Sequence, residues 1–205
     1  ITTPGSVNTD IGLSQSIIKQ LNGKSKEEIA QIKFAVLEMD TYMKGTLARV
    51  TKFFPLDIAL VTSINEQHLE TFDGKIENTV AGNFEIFQGL KENGLRYGVF
   101  NAGNDLVRMM IDRFQGEFPD YRVVTYGQTT GQENIHHDVQ IDSVEELHTP
   151  GTAAIKFSLD IQGAIKSENL DIQLPVPGTF NAGNYAAAVA VAIVLKVPND
   201  KIISA

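Results

Sequence analysis

The sequence predicts an α/β protein: a three-layer, mostly parallel sheet flanked by helices, with a small antiparallel sheet inserted in the C-terminal half. Three observations carry this reading. Short apolar runs at Phe34–Leu37, Ile58–Val61 and Arg96–Phe100 alternate with segments whose apolar residues recur at helical spacing. Runs apolar on both faces suit strands of a parallel sheet covered on each side. After about residue 127 the pattern changes to alternating apolar and polar residues, punctuated by Pro and Gly at 150, 151, 163, 175, 177 and 178.

Taken in order, Thr9 to Leu21 places Ile11, Leu13, Ile17, Ile18 and Leu21 at helical spacing, and Asn22-Gly23 ends the segment with a turn. Lys26 to Ile32 reads as a short polar helix or a linker. Phe34-Ala35-Val36-Leu37 predicts a strand buried on both faces, closed by Glu38. Thr46 to Phe53 predicts a helix with Leu47 and Val50 inward, stopped by Pro55. Ile58 to Val61 predicts a second buried strand, ending at Thr62-Ser63. Ile76 to Leu90 predicts a helix through Val80, Phe84, Ile86, Phe87 and Leu90, broken by Asn93-Gly94. Arg96 to Phe100 is the third strand, closed by Asn101-Ala102-Gly103-Asn104. Leu106 to Phe114 predicts a helix, and Arg122 to Tyr126 the fourth strand.

Right-handed crossovers between such strands put their exit loops on one edge, where ligands bind in open α/β sheets. Those loops hold Glu38, Asn65 to Glu70, and Asn101 to Asp105. Val139–Ile141, Ala154–Ile161 and Leu170–Val176 predict the antiparallel strands. Asn184 to Val197 predicts a helix packed through its alanines, with Asn184 as N-cap, and Lys201-Ile202-Ile203 begins another. The predicted organisation is one domain over 1–205: a parallel α/β portion at 1–127, the small antiparallel sheet at 128–178 and a returning helix at 179–205.

Composition excludes several function classes. A net charge of −8 argues against nucleic-acid binding and suits a cytoplasmic protein. Lys24 with Lys26, and Lys91 with Arg96, stand isolated among acids and read as solvated surface. With no cysteine, disulfides, thiolate nucleophiles and cysteine-bound metals are ruled out. The longest apolar stretch, Tyr185 to Leu195, is far short of the roughly 20 residues that span a bilayer. The sequence starts at Ile1 with no basic leader and apolar segment behind it, so the expectation is a processed, trimmed or partly ordered chain without an export signal.

Few residues stand out chemically. Glu38, at a strand end, is placed to hold magnesium or to position water, or to serve as a loop or capping acid. His68 lies between Glu66 and Glu70, three ionisable groups that suit a metal or acid–base site or an exposed polar loop. His136 and His137 are adjacent, and neighbours on a strand point to opposite faces, which disfavours one shared ion. Gly178 to Asn184 precedes the Ala-rich helix; an Asn carboxamide there both donates and accepts, as an adenine edge requires. No Gly-x-x-x-x-Gly-Lys-Ser/Thr and no Gly-x-Ser-x-Gly occurs.

Several stretches, in this order and spacing, resemble the central domain of the Mur ligases. They are Thr3-Pro4-Gly5-Ser6-Val7-Asn8-Thr9-Asp10-Ile11-Gly12, Ala35-Val36-Leu37-Glu38-Met39, and Pro55-Leu56-Asp57-Ile58-Ala59-Leu60-Val61-Thr62. Glu66-Gln67-His68-Leu69-Glu70, Glu85-Ile86-Phe87-Gln88-Gly89-Leu90 and Pro177-Gly178-Thr179-Phe180-Asn181-Ala182-Gly183-Asn184 complete the set. The resemblance implies an ATP-dependent ligase: ATP phosphorylates a carboxylate, and an amine attacks the acyl phosphate to form an amide. It implies Glu38 and His68 as Mg²⁺ ligands, Asn184 near the adenine, and Asn181 shaping the same loop. Within the family the chain most resembles the branch that adds D-alanyl-D-alanine to UDP-N-acetylmuramoyl-tripeptide in peptidoglycan synthesis. The partners implied are a UDP-linked muramoyl peptide and a dipeptide or amino acid, met through domains outside this stretch.

The sequence also departs from the family pattern. The Gly-rich phosphate loop that precedes the Thr-Pro segment is not among these residues, so the chain alone is expected to be inactive. Asn83 stands where many members carry a carbamylated lysine, Gly103 and Asn104 where paired acids are usual, and Asp40 where a glycine is usual. Two alternatives follow: another amide ligase of the superfamily, such as a folylpolyglutamate or amino-acid polymer ligase, or a degenerate scaffold or partner-binding domain.

Overall fold

The computed structural model describes residues 1–3, 7–66, 68–128, 137–149, 152–161 and 168–203. They form two units, one of Ile1–Phe54 with Gln67–Gly89, the other of Pro55–Glu66 with Leu90–Ala205.

The first unit is helical. Helix α1 (Asp10–Leu21) is capped by Thr9, whose Oγ1 accepts the Gly12 N–H at 3.2 Å. Its fully buried apolar residue is Leu13, while Ile11 and Ile18 remain exposed. Helix α2 (Lys26–Ala30) begins with a reciprocal capping box: the Ser25 N–H donates to Glu28 Oε2 at 2.7 Å and the Glu28 N–H to Ser25 Oγ at 3.2 Å. Helix α3 (Thr46–Phe53) buries Leu47 and Val50 as predicted. Helix α4 (Ile76–Phe84) tightens into a 3-10 turn over Glu85–Gly89, so the predicted single helix over 76–90 is divided at Glu85. That turn packs on α3 at Gly89, where a Cβ would stand 2.3 Å from the Thr51 Cβ.

One predicted strand is absent. Phe34–Leu37 makes a single parallel bridge, Thr2 to Val36, with the Val36 N–H donating to Ile1 O at 2.9 Å. Phe34 is 54% and Val36 66% exposed. An apolar run of four carries strand propensity, but burial needs neighbours on both sides. Here the bridge among the described residues is to Thr2 alone. Glu38 therefore follows an exposed extended segment, not a buried strand.

The second unit holds one six-stranded sheet in the order β1 (Ile58–Val61), β2 (Tyr97–Asn101), β3 (Arg122–Gln128), β4 (Val139–Thr149), β5 (Thr152–Ile161), β6 (Glu168–Leu174). Strands β1 to β4 run parallel; β5 and β6 continue the same sheet antiparallel. Thus the α/β architecture is as predicted, and the antiparallel strands extend the parallel sheet edge to edge. β4 runs well past the predicted Val139–Ile141, with a bulge between Ile141 and Ser143. Its continuation, rich in acids, reads as loop because one of its faces is solvated.

Helices cover both faces. Phe100 packs on Phe114 of helix α5 (Asp105–Glu117), with ring centroids 5.3 Å apart. The neighbouring Val99 points the other way, into a core shared with Tyr126, Phe157 and helix α6 (Phe180–Val194). Ala182, Ala186 and Ala190, one turn apart, are all buried and let α6 lie close on the sheet. The short helix α7 (Asn199–Ile203) follows.

α6 starts ahead of the predicted Asn184. The chain turns at Gly178 (φ 90°), and the Asn181 and Ala182 N–H groups already donate to Gly178 O and Thr179 O. Thr179, not Asn184, occupies the N-cap position, and Asn184 sits inside the helix. The break at Pro177-Gly178 outweighs the capping preference of an asparagine further on.

Candidate functional site

The exits of β1, β2 and β3 and the start of α6 enclose a cleft of about 580 Å³ in the second unit. Its position, at the carboxyl ends of parallel strands, is the one expected for ligand binding. One tetrapeptide occurs twice around it: Asn101-Ala102-Gly103-Asn104 leads from β2 into α5, and Asn181-Ala182-Gly183-Asn184 lies at the start of α6; Asn101, Gly103, Asn104, Ala182, Gly183 and Asn184 line the cleft.

The first copy ties the strand ends together. Asn101 Nδ2 donates to Thr62 O at 2.8 Å, and its Oδ1 accepts the Gly103 N–H at 3.2 Å. Asn104 caps α5, its Oδ1 accepting the Val107 N–H at 3.0 Å, while its Nδ2 donates to Ile64 O at 3.2 Å. Gly103 lies directly on the end of β3. A Cβ there would stand 3.1 Å from the Gln128 backbone, and one on Gly127 would stand 2.6 Å from the Gly103 N. The family's acid at position 103 would not fit this packing without movement.

The second copy is linked within itself. Asn181 Nδ2 donates to Pro177 O at 2.8 Å, and Asn184 Nδ2 donates to Asn181 Oδ1 at 3.2 Å. The structure thus joins the two predicted nucleotide-binding asparagines, and Asn184 lines the cleft.

Tyr126, Gln128, Thr62 and Ser63 also line the cleft, and sequence reading did not single them out. Their signal is positional, since each lies at or just beyond the end of a parallel strand. The Tyr126 hydroxyl is fully buried with no hydrogen-bond partner among the described residues, and burial pushes its pKa well above the ordinary 10. All the residues lining the cleft are uncharged.

The predicted metal ligands belong to the first unit. Glu38 is exposed, and its N–H donates to Thr3 Oγ1 at 3.2 Å. His68, in the left-handed region at φ 59°, opens a 3-10 turn at Leu69–Phe72, and its carbonyl accepts the Thr71 N–H at 2.9 Å. Its Nδ1 lies 3.9 Å from Glu70 Oε1. Among the described residues, no three His, Asp or Glu side chains gather into a ligand cluster. Magnesium commonly takes one or two protein ligands and completes its shell with water and phosphate, so a protein-only cluster is not required of a magnesium site.

Other marked positions are structural here. Asn83 Nδ2 donates to Thr79 O at 2.9 Å, folding the amide back on α4. Asp40 Oδ1 accepts the N–H of Thr41 at 2.7 Å. His137 is buried, and the neighbouring Asp138 accepts from the Thr125 N–H at 2.7 Å and Oγ1 at 3.0 Å. His136 lies outside the described residues. No helix among the described residues is long and apolar enough to cross a membrane.

Comparison with known proteins gives a consistent picture. The chain is 35% identical over 153 residues to UDP-N-acetylmuramate--L-alanine ligase of Xanthobacter autotrophicus, covering 74% of this chain and 29% of that protein. It is 29% identical over 192 residues to UDP-N-acetylmuramoyl-tripeptide--D-alanyl-D-alanine ligase of Haemophilus influenzae, covering 93% of this chain and 35% of the relative. The crystal structure of MurF from Acinetobacter baumannii superposes with a TM-score of 0.75 at 20% identity, over 99% of this chain and 38% of that one. The chain thus spans about a third of the length of these relatives. The family model for the Mur ligase middle domain matches residues 1–192, and the chain belongs to that family.

Proposed function

We propose that this chain is the nucleotide-handling portion of an ATP-dependent ligase that forms an amide bond through an acyl phosphate in peptidoglycan synthesis. The complete enzyme, in this reading, works in the cytoplasm and adds D-alanyl-D-alanine to UDP-N-acetylmuramoyl-tripeptide. The observation that carries it is the uncharged cleft at the exits of β1 to β3, lined by residues of the Asn101–Asn104 turn and of the start of α6. Its amides and hydroxyls can donate to and accept from a nucleoside, whose base and ribose carry no charge.

Asn184 contacts the nucleoside and Asn181 holds the Asn184 amide in place. Glu38 and His68 contribute ligands to Mg²⁺, which when bound offsets charge on the phosphoryl oxygens. The dipeptide substrate is favoured by the extent of the match, 93% of the chain against 74% for the L-alanine-adding relative. The higher identity of the latter, 35% against 29%, favours L-alanine joined to UDP-N-acetylmuramate as the second reading. A non-catalytic scaffold is a third, favoured by Asn83 and Gly103.

The test is phosphate release by the natural polypeptide that carries residues 1–205, with ATP, Mg²⁺ and each substrate pair in turn. Turnover with the tripeptide and D-alanyl-D-alanine is expected. Turnover confined to UDP-N-acetylmuramate and L-alanine selects the second reading, and none with any acceptor selects the scaffold.

A further inference from the structure

His68 holds a left-handed backbone, φ 59° and ψ 22°, although it carries a β-carbon. Outside glycine such a conformation is unfavourable and persists where the surroundings impose it. Those surroundings can be named. The His68 carbonyl accepts the Thr71 N–H and closes the 3-10 turn Leu69–Phe72. At the far end of the turn Phe72 is buried, its ring against Gly82 of α4, where a Cβ would stand 2.6 Å from Phe72 Cε1. Asn78 Nδ2 donates to Phe72 O at 3.1 Å. The turn is thus seated on α4.

Its second attachment is Thr71. The Thr71 hydroxyl donates to Tyr42 O, a carbonyl in the loop between Glu38 and α3, and lies 2.9 Å from His68 O. Both segments belong to the first unit. The loop is itself tied down along its length. The Glu38 N–H donates to Thr3 Oγ1 at 3.2 Å, the buried Thr41 donates its hydroxyl to Met43 O at 3.1 Å, and the Gly45 N–H donates to Glu85. These bonds use neither the Glu38 carboxylate nor the imidazole, and the His68 side chain is 48% exposed. The backbones are fixed while the two side chains stay available.

We propose that Thr71 is a positioning residue: its hydroxyl pins the His68 turn to the loop that follows Glu38, and so sets where the imidazole stands relative to that loop. The proposal rests on the reading of Glu38 and His68 as ligands of one Mg²⁺. Two ligands on separate segments bind an ion well only when their separation is held before it arrives, and a bond between the two backbones supplies that constraint.

The experiment uses the natural polypeptide that carries residues 1–205, labelled with ¹³C in its histidines. Mn²⁺, standing in for Mg²⁺, is added in the presence of ATP, and its paramagnetic broadening of the His68 ring resonance is followed by NMR. That resonance is identified by its loss in His68→Ala. Thr71 is exposed, so Thr71→Val removes the hydroxyl without opening the core. It is expected to raise the Mn²⁺ concentration for half-broadening by roughly 2- to 10-fold, the equivalent of one net hydrogen bond. Thr71→Ser, which keeps the hydroxyl, should match the wild type. The ring resonance of the buried His137 should be unchanged in both variants, as a local effect requires. Unchanged broadening in Thr71→Val overturns the positioning role and leaves the metal reading intact. Equal weakening in Thr71→Val and Thr71→Ser also overturns it, since the hydroxyl is then not the agent. A wild-type His68 resonance that Mn²⁺ does not broaden overturns the metal reading itself, and the proposal with it.

Discussion

The carboxylate of Glu85 accepts the backbone N–H of Gly45 on both oxygens, at 2.7 Å and 2.9 Å. Oε2 also accepts the Ala48 N–H at 3.3 Å. Gly45 is the N-cap of α3 and has no side chain with which to cap it. A residue 40 positions along the chain supplies the cap instead, placing a negative charge at the positive end of the helix. Glu85→Ala should therefore destabilise the protein by about 2–3 kcal/mol, because it leaves the helix donors partly buried without a partner. Denaturant unfolding checks this, and a loss below the error of that measurement would discard the capping role.

Tyr126 makes a pH prediction. Burial raises its pKa in the folded state above the unfolded value of 10. The folded protein therefore keeps the phenol proton when the unfolded chain gives it up. Stability from this group is complete below pH 10 and falls as pH rises beyond it. Tyr126→Phe should flatten the alkaline limb of a stability–pH curve and cost under about 1 kcal/mol at neutral pH, since the lost hydroxyl has no partner among the described residues. An unchanged alkaline slope would assign that limb to other groups.

Asn101 joins the exits of β1 and β2 through its two hydrogen bonds. Asn101→Ala should cost about 1–2 kcal/mol. Asn101→Asp should cost at least as much at neutral pH, because an oxygen then faces the Thr62 carbonyl. Thermal melts of the two variants test the order; an aspartate that is as stable as wild type would contradict the assigned geometry.

Glu38 and His68 are tested through the ion. In the proposed ligase, Glu38→Gln should raise the Mg²⁺ concentration for half-maximal turnover by about tenfold or more, and His68→Ala should act in the same direction. Residues 1–205 expressed alone should show no turnover. Activity in that chain that is lost in Glu38→Ala would reverse this last expectation.

The regions of the fold legible in the sequence are those where burial and periodicity coincide. The run around Val99 is buried on both faces, and Ile58–Val61 and the run around Val124 are buried on one face and partly buried on the other, so their apolar pattern reports their place directly. Phe34–Leu37 carries the same pattern without the covering neighbours, and pattern alone cannot tell the two apart. The end of β4 is obscured by its own acids, which face solvent. At the site, Asn181 and Asn184 are legible as residues but not as a bonded pair, since only the early start of α6 sets them one turn apart. Gln128 and Tyr126 carry no motif; three-dimensional strand alignment brings them to the cleft.

Strand order in the sheet equals order along the chain, from β1 to β6. Among the described residues no later strand has to insert between earlier ones, so during synthesis each can dock on its predecessor as it leaves the ribosome. The cover arrives late: the face carrying Val99, Tyr126 and Ile141 gains α6 only once residues Phe180–Val194 have emerged. Throughout that interval the apolar face that α6 later covers stays open, and this is the stage at which self-association competes most strongly with folding.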